Sequence, residues 1–115
     1  MSYTYRKGVT TGRPMTLLWH DFNGVPIDFS TGYTFAVYIV DRNTPAALLA
    51  TKTTGITGYA NAALGYNILI DWAPADFTSL PAGRLYTLTL VATTAGGDPF
   101  AFPGNAAFKL EAAPA

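Results

Sequence analysis

Apolar and polar residues alternate most regularly from Tyr33 to Val40, with Tyr33, Phe35, Val37 and Ile39 on one face and Thr34, Ala36, Tyr38 and Val40 on the other. A period of two predicts a strand, and apolar character on both faces predicts that part of the outer face is covered. Leu85 to Thr94 repeats the pattern, as does the run in which Tyr66, Ile68, Ile70 and Trp72 oppose Asn67, Leu69 and Asp71. Shorter extended pieces are predicted at 15–20, with Leu17 and Trp19 on one face, at 47–53, at 56–59, and at 99–102 and 106–110 around a Pro103-Gly104-Asn105 interruption. Turn chemistry separates them: Asn23-Gly24 before Pro26, Asp41 to Pro45, the glycine-rich Gly55 to Gly65, and Ala95 to Asp98. Ala73 to Leu80 reads as one helical turn opened by Pro74 and stopped by Pro81.

No segment longer than ten residues keeps a helical period, so the fold class expected is all-β. The architecture is an antiparallel sandwich of seven or eight strands with one short helical turn near residues 74–80. Residues 14–110 form the sandwich, 1–13 an N-terminal arm or its first strand, and 111–115 a small-residue tail. Trp19, Phe35, Trp72, Leu88, Leu90 and Phe108 are placed at the core centre, each burying roughly 100–200 Å² at about 25 cal/mol per Å². For Trp19 and Trp72, being in phase with the apolar faces favours the core over a sugar-stacking platform.

Length changes the picture little: 115 residues suit one domain. With no cysteine, disulfides and thiolate metal sites are excluded and packing alone must hold the fold. Charged residues are 12% of the chain, and seven basic residues balance seven acidic ones. A usual chain carries about 25%. So uncharged a surface is expected to be partly covered by other subunits. Arg6, Lys7 and Arg13 are too sparse a cluster for nucleic acid. No run approaches a membrane span and the first residues lack a secretion signal, so synthesis in the cytosol and a soluble product are expected.

Candidate chemistry is thin. His20 is the only histidine, which removes sites needing two imidazoles, and its neighbour Asp21 points to the opposite strand face. Asp21, Asp28, Asp41, Asp71, Asp76, Asp98 and Glu111 have no glycosidase or calcium-loop spacing and more simply cap turns. Ser2, Ser30 and Ser79 lie in no nucleophile elbow, and Gly96-Gly97 lacks the helix of a phosphate cradle. No enzyme, cofactor or metal is expected.

Leu80-Pro81-Ala82-Gly83-Arg84-Leu85-Tyr86 resembles the L-x-P-G-x-x-Y corner of fibronectin type III domains, with Pro and Gly here split by Ala82. The resemblance implies that the Tyr86 hydroxyl ties the corner backbone and does no catalysis. Asp21 to Gly32 with the following strand is similar to a D-x-x-G-x-P stretch in the immunoglobulin-like N-terminal domains of phage baseplate upper proteins and related tail or fibre proteins. The segment from Ile70-Asp71-Trp72 through Leu80 to Ala92 looks like the later part of those domains. Together these blocks cover most of residues 14–110. Those proteins usually continue into receptor-binding or trimerising domains, whereas this chain stops near Leu110, so their receptor role is not carried over.

The resemblance implies a non-enzymatic structural component of a phage virion, a tail or baseplate accessory subunit that docks onto other virion proteins and onto copies of itself. Its interface candidates are the arm residues Tyr3, Tyr5, Arg6 and Lys7, which would add a strand to a neighbour unless they are the first strand of this sandwich. Tyr38, Leu69, Leu85 and Val91, out of phase with the core rows, complete the set. A capsid decoration protein and a carbohydrate-binding or adhesion module are the alternatives; the latter needs an exposed aromatic row involving Tyr59 or Phe100.

Overall fold

Strand formation follows the alternation, and the two most regularly alternating runs, 33–41 and 84–94, pair inside the larger sheet. The computed structural model describes residues 3–8, 14–21, 23–60, 65–102 and 106–112. Among them run β1 (Tyr3–Arg6), β2 (Met15–Leu17), β3 (Tyr33–Asp41), β4 (Thr44–Lys52), β5 (Ile56–Gly58), β6 (Ile68–Ile70), β7 (Arg84–Thr94), β8 (Pro99–Ala101) and β9 (Ala106–Glu111), with one 3-10 turn at Pro74–Phe77. The larger sheet has the order β1-β9-β7-β3-β4 with β8 also on β7; the smaller is β2-β6-β5. The all-β sandwich expected from the pattern is the fold observed, with nine strands among the described residues where seven or eight were expected. The Pro103 to Asn105 interruption, the last three residues and Arg13 lie outside the described residues.

β3 and β7 pair antiparallel from Tyr33↔Thr94 to Asp41↔Tyr86. Their inward rows build an aliphatic middle in which Val37 opposes Leu90 and Ile39 opposes Leu88. Aromatic clusters close both ends. Tyr5, Trp72, Phe77, Tyr86 and Phe108 meet at one, with centroid separations of 5.3–6.0 Å. At the other, Trp19 packs on Phe29, Phe100 and Phe102, and Phe29 on Tyr33 and Phe35. Phe35 is therefore in the inward row but only half-buried, not at the core centre. β4 pairs with β3 only from Val37 onward, so no β4 residue pairs beside Phe35.

Of the two readings of the N-terminus, arm or first strand, the structure takes the second, which corrects Tyr3 and Tyr5 as interface candidates. β1 pairs parallel with β9, from Tyr3↔Phe108 to Arg6↔Glu111, the one departure from an antiparallel sandwich among the described strands. Tyr3 and Tyr5 are buried in this chain's own core. Two aromatic side chains at alternate positions favour that burial over hydration by roughly 1.5–3 kcal/mol each. The Tyr3 hydroxyl also accepts the Thr16 N–H across the sandwich.

A second correction concerns Asn67, which alternation placed outside with Leu69 and Asp71. It is fully buried. Its Oδ1 accepts the Trp19 N–H at 2.8 Å, and its Nδ2 donates to the carbonyls of Trp19 and Ile27 at 2.7 and 2.9 Å. One amide thus replaces a stretch of missing ladder beyond β2, where the chain turns through Asp21 to Gly24 and back to the His20↔Pro26 bridge. β5 needs a glycine for a related reason, because a Cβ at Gly58 would collide with the Phe29 carbonyl.

The corner before β7 takes the form that the resemblance implied. Tyr86 is fully buried and its hydroxyl donates to the Pro81 carbonyl, while burial pushes the phenol pKa up. Tyr86→Phe keeps the ring and orphans the carbonyl. A loss of about 1–2 kcal/mol is expected, read as a fall of roughly 5–10 °C in thermal unfolding.

Candidate interaction surface

Chemistry-bearing side chains do not converge. His20 is exposed, with Nδ1 3.2 Å from the Asp21 carbonyl oxygen. The Asp21 carboxylate is engaged by the N–H groups of Asn23 and Val25, and Asp28 by the N–H and hydroxyl of Ser30. Those Ser30 bonds hold the Asp28 carboxyl below its ordinary range. Asp41 is buried at the end of β3, accepting the Asn43 N–H at 2.9 Å and Arg84 Nη1 at 2.7 Å, and both contacts lower its pKa. Each of these acids shapes a turn. Among the described residues no group of three or more His, Asp or Glu is placed to hold a metal ion, and no helix is long and apolar enough to cross a membrane.

Both tryptophans are buried, so neither offers a flat exposed ring. Phe100 is packed edge-on against Trp19, and Tyr59 against Tyr66.

The surface with the most unusual composition is the outer face of β7, β3 and β4. Partners across the ladders share a face, which sets Ala107, Thr87, Val40 and Leu48 in one row, Thr89, Tyr38 and Thr51 in the next, and Ala101, Val91 and Ala36 in a third. Tyr38 is 37% and Leu48 57% exposed. No outward side chain described on these three strands carries a charge. Charges border it at the β9 and β1 flank, with Lys109 beside Leu85 and the Arg6–Glu111 pair at 3.6 Å, and at the exposed Arg42 just after β3, whose N–H donates to the Leu85 carbonyl. A β-bulge between Val40 and Ile39 leaves Leu49 unopposed, so two successive leucines of the β4 edge are exposed.

The interface candidates read from sequence therefore divide. Tyr38, Leu85 and Val91 lie on this face, the latter two half-buried. Leu69 is on the outer side of the smaller sheet, across the molecule, and is not part of the same surface. Tyr3 and Tyr5 are core, as above. Arg6 donates to the Ala112 carbonyl and Lys7 to the Leu80 carbonyl at 2.8 Å, tying both to their own chain. Leu48, Leu49 and Val40 were missed. Leu48 and Leu49 fall in a run without clean alternation, and only the bulge explains their exposure. Compared with protein-family models and with curated protein sequences, the chain matches none.

Proposed function

We propose that this protein is a non-enzymatic structural subunit that acts by protein–protein docking through the outer face of β7, β3 and β4, as a tail or baseplate accessory component of a phage particle. The docking half of this reading rests on the uncharged, apolar and threonine-rich face around Tyr38. A face with no charge to dehydrate is cheap to cover, and its aromatic and aliphatic side chains are those that dominate interface energetics. The dispersal of acids into turns supports a subunit without chemistry. The phage assignment rests on the sequence resemblance alone.

Tyr38→Glu and Leu48→Glu, made separately and together, test the docking face. Both side chains are exposed, so the thermal midpoint is expected to stay within a few degrees. Copy number per purified particle is expected to fall, with affinity weakened by roughly 30-fold or more if Tyr38 anchors the contact. Particles that retain wild-type copy number with the double variant would show that another surface docks. Particles that never contain the protein would end the virion reading.

A further inference from the structure

A second, independent feature lies at the edge of the larger sheet. Main-chain N–H and C=O groups of one residue point to the same side of a strand, and the side alternates. The Thr94 N–H donates to Asp98, so Thr94 faces away from β3 and Thr93 faces toward it. Thr93 and Val91 pair with Thr34 and Ala36, which therefore bond to β7. Tyr33 and Phe35 consequently aim their N–H and C=O groups the other way, into the lane that β4 occupies from Val37↔Lys52 onward. Among the described residues no main-chain partner meets them there. Along the lane opens a cavity of about 470 Å³, lined by Tyr33 to Ala36 of β3, by Thr53 and Ile56, and across β3 by Thr93 of β7.

We infer that this slot is a binding site for the extended, uncharged end of another polypeptide, which would add a short strand to β3 beside Tyr33–Ala36. Two donor–acceptor pairs two residues apart demand a strand; a helix or a compact ligand leaves them unmade. The slot is blind, because β4 fills the lane at Lys52. It takes about four residues, roughly 13 Å at strand rise, so a chain end fits and a through-running strand of a folded sheet does not. The cavity's lining residues carry no charge. A charged side chain entering it would lose hydration with no counter-charge, whereas Phe35 and Ile56 offer apolar contact and the threonines hydroxyls. The site adjoins the outer face and shares Ala36 with it, but it is read at the main chain of Tyr33 and Phe35, apart from Tyr38 and Leu48.

Capped peptides of sequence TVTVT and KVKVK, titrated into the whole protein with backbone amides followed by NMR and hydrogen exchange, test it. TVTVT is expected to shift the Tyr33 and Phe35 amides and slow their exchange by about 10-fold or more at saturation; KVKVK is expected to bind at least ~10-fold more weakly. Phe35→Pro removes a donor that β7 does not use and is expected to abolish the effect. Thr53→Trp, which fills the slot from an exposed position, is expected to abolish it without touching β3. Silence of both amides up to about 10 mM peptide overturns the site, as does protection of Leu48–Thr51 on the outer edge of β4 instead. Equal binding of KVKVK overturns the charge selectivity. Concentration-dependent protection of Tyr33 and Phe35 without peptide, together with dimer formation in sedimentation, overturns the foreign occupant in favour of a second copy. None of these outcomes bears on Tyr38, whose variants report separately.

Discussion

Asn67→Leu is expected to cost about 4 kcal/mol, a drop in thermal midpoint of roughly 15–20 °C. The side chains are close in volume, so little of this comes from a cavity. It comes from the Trp19 N–H and the Ile27 carbonyl, which lose their partner, and from the Trp19 carbonyl, which loses one of two donors and keeps the Ile27 N–H at 3.1 Å. Each orphaned group costs about 1–3 kcal/mol where water cannot reach, against a total stability of about 5–15 kcal/mol. Asn67→Asp separates hydrogen bonding from shape. Its carboxylate keeps the acceptor for Trp19 but turns a second oxygen toward two carbonyls, which raises the folded-state pKa above the unfolded one. A raised acid is better tolerated when protonated, so the deficit of this variant should shrink as pH falls from 7 toward 4. Chemical denaturation at several pH values reads both effects, and a deficit independent of pH would mean that the loop rearranges to solvate the acid.

Asp76→Ala is expected to cost about 3–4 kcal/mol, while Lys52→Met costs well under half of that. Lys52 is an inward-pointing charge at the end of β4, its Nζ 2.7 Å from Asp76 and 5.2 Å from the centre of the Trp72 ring, with side chains 4% and 17% exposed. Removing the carboxylate strands a buried ammonium and also deprives the Ala73 N–H of its acceptor at 2.8 Å. Removing the ammonium leaves a less buried carboxylate that still accepts from Ala73. The double variant is expected to be more stable than Asp76→Ala alone, because it deletes the stranded charge. Equal losses for the two single variants, measured by denaturant titration, would show that the pair behaves as a surface contact instead.

The strands were most legible where one face meets the core without interruption. β3 and β7 could be read almost to their ends, and the Tyr86 corner came through the spacing of Leu80, Pro81 and Gly83. What escaped depended on partners distant in sequence. Tyr3 and Tyr5 could equally have belonged to a loose arm, since their burial depends on β9 about a hundred residues later. Asn67 escaped because alternation scores a polar residue as outward and has no means of seeing three buried main-chain groups awaiting it. Phe35 kept its phase but lost full cover because β4 departs at Lys52. The uncharged outer face was half legible: Tyr38, Leu85 and Val91 were out of phase with the core, whereas Leu69 shared that property on the opposite sheet. Phase tells inside from outside, not which outside.

The parallel alignment of β1 with β9 also sets how the domain would bear tension. Pulling Tyr3 and Glu111 apart along the strand axis loads every rung of that ladder at once, in shear, and the buried rings of Tyr3 and Tyr5 must slide together with them. A domain so clamped between its first and last described strands resists tension across that ladder without peeling open one bond at a time.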